Sequence, residues 1–281
     1  ALLFLFRNLY HRWNIHKSLQ IDWFDGKKGV FIFSYFINYE SERLREGTFL
    51  SKYWNILPTL LKESGKKINW MHHFMGGSNS VKSYNDVKSI DKINSNVNKN
   101  ETHNFLESFI SINIIINTLF LWLTITLRIR AIQKKINKNV YRIKYGWLWP
   151  QIRTDWKSSV YGQVCIQNIM HFLLLEKSIY SLPKQSVGLY LCENQAWERA
   201  FIYFWKKYKH DDLIGVAHTA IRYWDLRYCE NLEVQNIEDK LSQPKPDKIA
   251  LNGPLAFESF QDKNQRLTNY VEVEALRYLY L

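Results

Sequence analysis

Ser186-Val-Gly-Leu-Tyr-Leu-Cys192 passes through Glu193-Asn194 into the stretch from Ala196 to about Lys209, and the fold class follows from reading that passage. A short apolar run between polar residues reads as a buried strand, and the longer segment behind it as a helix. The unit recurs downstream. Leu213-Ile-Gly-Val-Ala217 leads to His218-Thr219. After a loop containing Pro244 and Pro246, Lys248-Ile-Ala-Leu251 leads to Asn252-Gly253-Pro254 and a helix over Leu255 to Phe260. Upstream, the turn Asp25-Gly26 precedes a strand over Gly29 to Phe36. A helix from about Ser51 to Glu63 follows, closed by Ser64-Gly65, and then a strand over Lys67 to Phe74. Strand, helix and strand with short connections build parallel sheets. The reading is therefore α/β, a Rossmann-like parallel sheet with flanking helices.

Composition agrees with a folded chain. The 281 residues are 46% hydrophobic and 23% charged, enough for a sizeable core and incompatible with wholesale disorder or a collagen-like fibre. Lys and Arg exceed Asp and Glu by 38 to 26, a formal charge of +12, which favours anionic partners. Lys, Asn, Ile and Tyr are abundant together, as an AT-rich coding genome produces, so the charge has a second explanation. Cys165, Cys192 and Cys229 are widely spaced. That spacing excludes a disulfide scaffold and a cysteine-based zinc site and fits a reducing cytosol. With no initiator Met and an apolar run at Glu274 to Leu281, the sequence reads as a fragment.

Three other regions shape the organisation. Residues 76–104 turn polar and read as a solvated insertion. Phe109 to Leu127 carries no charge and is followed by Arg128, Arg130, Lys134, Lys135 and Lys138. A helix of that length nearly matches a hydrocarbon layer of about 30 Å. Asn113 and Asn117 argue against full spanning, as does the division of an α/β fold that one mid-chain span would cause. The reading is a buried or membrane-dipping helix. Residues 151–178 read as one further helix ahead of Pro183, and Ala1 to Phe6 as a strand.

Ligands of open parallel sheets sit outside the carboxyl ends of the strands, where Glu193, His218 and Asn252 are all expected. Glu193 suits a general base, because a carboxylate behind an apolar strand can be desolvated until it accepts a hydroxyl proton. It suits a helix N-cap equally. Glu198, inside the helix, reads as electrostatic trim in the first turn. His218 fits a contact to phosphate or sugar, or a second base, and fits equally a buried histidine satisfied by backbone. Arg222 suits bidentate phosphate binding. Asn252-Gly253 would let backbone N–H groups approach an anion at a helix N-terminus.

Several chemistries have no signature. No G-x-G-x-x-G, Walker, H-E-x-x-H or G-x-S-x-G pattern occurs, which leaves dinucleotide-fingerprint, metalloprotease and serine-hydrolase readings without support. His72 and His73 are adjacent in a strand and point to opposite faces, so they cannot form a metal pair. No helix-turn-helix, zinc-finger or RRM signature accompanies the dispersed positive charge, so nucleic acid is not an expected partner.

Thr48 to Pro58 with Ile68-Asn-Trp70, Cys192-Glu-Asn-Gln-Ala-Trp-Glu198, Gly215 to Thr219 and Pro246 to Gly253 together resemble bacterial surface carbohydrate biosynthesis proteins. These are glycosyltransferase-like proteins of O-antigen and related envelope polysaccharide (lipopolysaccharide) clusters. The resemblance covers most of the chain outside residues 76–108, and Glu193 to Glu198 is its most specific part.

The resemblance implies a GT-B-like arrangement, two facing Rossmann-type domains with the active site in the cleft and no obligatory bound metal or cofactor. Residues 1–245 would be the acceptor-side domain, with the polar insertion at 76–104 and the apolar helix at 109–127. Residues 246–281 would begin a truncated donor-side domain. The implied reaction moves a sugar from a nucleotide sugar to a lipid-linked or polysaccharide acceptor. Glu193 and His218 would be catalytic, and Asn194, Arg222, Asn252 and Gly253 would contact substrate or phosphate. The expected location is cytoplasmic, compatible with peripheral attachment at the inner membrane. The alternative is a non-catalytic, membrane-associated assembly protein that binds an envelope precursor.

Overall fold

The computed structural model describes residues 2–3, 9, 15, 22–26, 29–74, 80–96, 99–217, 243–258 and 269–276. It is an α/β structure built on seven parallel strands. These are β1 (Gly29–Tyr35), β2 (Lys67–His73), β3 (Glu101–Phe105), β4 (Val187–Leu191), β5 (Asp212–Val216), β6 (Lys248–Asn252) and β7 (Asn269–Val273). Their order is β3-β2-β1-β4-β5-β6-β7, and every pairing is parallel. The helices are α1 (Ser41–Arg45), α2 (Leu57–Glu63), α3 (Ser80–Asn94), α4 (Ile112–Asn139), α5 (Trp149–Val160), α6 (Gln163–Ser181) and α7 (Ala196–Lys207).

The chain divides into two compact units. One comprises residues 1–13 and 110–174, and the other residues 14–109 and 175–281. The sheet belongs to the second. Residues from Lys248 onward, which the resemblance assigns to a donor-side domain, form β6 and β7 of this same sheet.

β1 is buried at every position, as a central strand must be when both faces are covered. On one face Phe31 and Phe33 meet Phe201 of α7, with ring centroids 5.9 and 5.1 Å apart. On the other, Ser34 accepts the Trp54 indole N–H at 2.9 Å. Gly188 in β4 is where α7 comes closest. A Cβ there would lie 2.5 Å from the Trp205 ring, and that ring is pinned by its own N–H to the Asp211 carbonyl at 2.8 Å.

The region expected to be a polar, solvated insertion, 76–104, holds regular structure where it is described, α3 and most of β3. Among the described side chains of α3 the buried apolar ones are Val87, Ile90 and Ile93, too few to change the polar composition of the segment. β3 is buried although its sequence is Glu-Thr-His-Asn-Phe, with partners inside the protein for several of its polar groups. The Asn94 side chain donates to the His103 carbonyl at 2.8 Å and accepts the His103 N–H at 2.9 Å, which closes an otherwise open sheet edge. Thr102 donates to Asn69 at 3.1 Å.

Inside the sheet, His72 and His103 stack with ring nitrogens 2.9 Å apart. Burial holds both neutral, His103 pushed down to about 3 with help from Lys62 and Lys99, and His72 well below its usual range. As expected for adjacent strand positions, His73 faces the other side, toward Tyr35.

The helix expected from Ser51 starts only at Leu57, since Asn55 at φ 42° interrupts it. The helix expected over 151–178 is two, α5 and α6, broken at Gly162. A Cβ on Gly162 would sit 2.7 Å from the Ser158 Cα. Leu2 and Leu3, read as part of a strand, are helical, in keeping with the helix preference of Ala and Leu and the lack of β-branched residues there. The helix after Asn252 is described over 254–258. The apolar segment is helical and longer than the uncharged run, extending through the basic residues to Asn139.

Replacing Gly188 by Ala is expected to destabilise the protein by about 1–3 kcal/mol through overpacking against Trp205. Urea denaturation measures this, and an unchanged midpoint would contradict the close approach.

Candidate functional site

In the order β3-β2-β1-β4-β5-β6-β7 the chain builds outward from β1 in one direction and then, from β4, in the other. The switch point is therefore the carboxyl end of β1 beside that of β4, the place where parallel sheets leave a crevice. β1 ends at Tyr35, β4 ends at Leu191, and the loop Cys192 to Gln195 leaves β4 above the sheet. Alternation along β1 puts Tyr35 on the α7 face with Phe31 and Phe33.

Glu193 is at this crest, half-buried. Its Oε2 accepts the Tyr35 phenol O–H at 3.3 Å. The same phenol oxygen accepts the Trp197 indole N–H at 3.1 Å, so the aromatic pair fixes one side of the Glu193 carboxylate. Burial, followed by the Glu193 charge, drives the Tyr35 phenol well above its usual range. Tyr35 thus stays a proton donor to Glu193 at any ordinary pH.

The N-cap alternative for Glu193 is not what forms. The N-cap of α7 is Gln195, and Glu198 supplies the acidic half of the capping box. Its carboxylate accepts three consecutive backbone N–H groups, from Glu193 at 2.9 Å, Asn194 at 3.1 Å and Gln195 at 2.9 Å. Glu198 is 2% exposed. Burial pushes its carboxyl up to about 7 against the pull of those three N–H groups, with a smaller upward push from Glu193. Reading Glu198 as electrostatic trim is therefore incorrect, since it is the buried carboxylate that shapes the loop. Asn194 is exposed and sits at φ 60°, a left-handed conformation that Asn tolerates better than most residues. Its side-chain oxygen accepts Arg199 at 2.7 Å.

The end of β2 adds to the crest. The His73 ring lies 5.8 Å from Tyr35 and 6.2 Å from Trp197. Its Nε2 is 3.8 Å from Glu107, whose carboxylate also accepts the Phe74 N–H. Burial, reinforced by Glu198, pushes the Cys192 thiol up to about 12, which keeps it protonated.

Asn252 and Gly253 end β6 on the same carboxyl edge, with β5 between them and β4. Two strand spacings put them about 10 Å from the Glu193 loop. Gly253 has φ 79° and needs no side chain there. Its N–H donates to the Val273 carbonyl at 3.0 Å, so the expected approach of that N–H to an anion is replaced by a bond to β7. His218 and Arg222 lie outside the described residues. Among the described residues, no three His, Cys, Asp or Glu side chains gather closely enough to hold a metal ion.

The sequence reading missed Tyr35, His73 and Trp197 as neighbours of Glu193. Two signals pointed to them: the period-two aromatic face of β1 that ends on Tyr35, and the Gln-x-x-Glu capping spacing at Gln195 and Glu198. Comparison with known proteins finds no matching family model, no similar curated protein and no similar solved structure.

Tyr35→Phe leaves the buried Trp197 N–H without its acceptor and is expected to cost about 1–3 kcal/mol. Glu193→Gln keeps an acceptor for Tyr35 and is expected to stay within about 0.5 kcal/mol of the parent. Urea denaturation of the two variants tests this. Equal losses would mean that Glu193 holds the fold rather than standing ready for a ligand.

Proposed function

We propose that this protein is a glycosyltransferase-like enzyme that moves a sugar from a nucleotide-activated donor to a surface polysaccharide precursor. Glu193 is its base. The observation that carries this reading is the Glu193 carboxylate held by Tyr35 at the switch point of an all-parallel sheet, over a loop fixed by Glu198. A rigid, half-buried acceptor at that place suits removal of a proton from an acceptor hydroxyl.

In the reaction, the acceptor hydroxyl gives its proton to Glu193 while its oxygen forms a bond to the anomeric carbon. The bond between that carbon and the nucleotide phosphate breaks, and the phosphate leaves with the electron pair. Cationic and helix-terminal groups stabilise the leaving phosphate. The resemblance assigns Arg222 and His218 to that task, beside Asn194 and Asn252.

A second reading is a non-catalytic protein of envelope assembly that binds a precursor. It draws on the same crest, since a fixed carboxylate accepts hydrogen bonds from sugar hydroxyls without transferring anything. Turnover separates the two readings.

With nucleotide sugars and a lipid-linked acceptor, Glu193→Gln is expected to retain its far-ultraviolet circular dichroism and acceptor binding. Its transfer should fall at least about 100-fold, the usual worth of a general base. Parent-like turnover by the variant removes Glu193 from the base role. Precursor binding by the parent with no turnover of any donor supports the second reading.

A further inference from the structure

α4 carries an exposed stripe whose chemistry changes halfway along. Ile112, Ile116, Phe120, Leu123 and Leu127 recur at steps of three or four residues, the spacing of a single helical stripe, and all are exposed, Ile112 at 68% and Phe120 at 65%. The same stepping continues through Arg130, Lys134 and Lys138, also exposed. Off the stripe, Ile114, Thr118 and Thr126 of the apolar half are buried and the Trp122 indole N–H donates to the Tyr161 carbonyl at 2.9 Å, whereas Arg128, Ile132 and Lys135 of the basic half are exposed. Beyond the helix, Tyr141, Tyr145 and Trp147 are exposed, with Arg142 and Lys144 among them.

The geometry points to an anionic lipid bilayer as the occupant of this face, with α4 lying in the membrane surface. The apolar half would sink among the acyl chains, and the cationic half would meet the headgroup phosphates. An apolar face continued by lysine and arginine and followed by tyrosine and tryptophan matches the layering of a membrane interface. Ile112–Arg142 passes as a span by length and composition. Its uncharged part, Ile112 to Leu127, is only about 24 Å long at ~1.5 Å per residue, short of the ~30 Å hydrocarbon layer. With its uncharged part too short to cross, and with Ile114, Thr118 and Thr126 turned into the protein, α4 embeds a face. Asn113 and Asn117 lie on the flank of the stripe and stay at headgroup level. The Thr124 hydroxyl donates to the Phe120 carbonyl at 2.9 Å, so it brings no unpaired donor to the lipid boundary.

Flotation of the full chain with vesicles tests this, using phosphatidylcholine alone and phosphatidylcholine mixed with phosphatidylglycerol. The chain is expected to float with the anionic vesicles, and added salt should weaken binding. Arg130→Gln/Lys134→Gln/Lys138→Gln should lower the partition coefficient at least about tenfold, given the usual worth of each basic residue at an anionic surface. Phe120→Asp/Leu123→Asp should abolish binding, with circular dichroism confirming the fold. The triple variant alters only exposed side chains and keeps the test valid should the double variant misfold. Equal binding to both vesicle types overturns the proposal, as does binding that the triple variant leaves unchanged. A lipid-independent dimer that Phe120→Asp/Leu123→Asp dissociates overturns it too, by assigning the face to a second copy of the chain.

Discussion

The carboxylate of Glu198 accepts three consecutive backbone N–H groups, and the loop that leaves β4 has its shape because of it. Backbone N–H groups between a strand end and a helix start need acceptors outside the regular ladders, and Glu198 supplies one. The acceptor is buried, which raises the free energy of its charged form and lifts its carboxyl to about 7. Glu193 and Asn194 are thereby held outward at the switch point while Glu198 faces inward. The two carboxylates, five residues apart, have opposite roles because one is desolvated and the other is half-open to solvent.

The placement of that loop depends in turn on how α7 packs. Trp197, Phe201 and Trp205 lie along α7 against Phe31, Phe33 and Tyr35 of β1. Gly188 gives Trp205 its room on β4. The core contact and the candidate site are continuous: Phe31 and Phe33 fill the interior, and Tyr35, two residues beyond Phe33 on the same face, reaches Glu193. The other unit follows different physics, with an exposed apolar stripe on α4 that passes directly into lysine and arginine.

The sequence made the sheet's centre legible because β1, β2, β4, β5 and β6 are apolar runs with polar residues at their ends. β3 was hidden. In its buried Glu-Thr-His-Asn-Phe run, Trp70 and Lys62 meet Glu101, Asn69 meets Thr102, and Asn94 and His72 meet His103, and pairing across such sequence distances has no local signature. α3 was hidden because the polar composition of its segment masks the buried Val87, Ile90 and Ile93. Within the site, Glu193 was legible from its place behind a strand. The roles of Glu198 and Tyr35 depend on three-dimensional burial, and a first-turn glutamate looks the same in sequence whether it faces solvent or the core. Gly253 was read as an anion contact because its bond to β7 depends on a strand later in the chain.

Glu198 is the buried, loop-holding carboxylate of the crest. The direct measurement follows the side-chain carboxyl ¹³C shifts of glutamate through a pH titration. Glu198 is expected to titrate near 7, well above the usual range, and its signal to be absent in Glu198→Gln. A titration of Glu198 in the ordinary glutamate range would contradict the account, since the loop would then not be organised around a desolvated carboxylate.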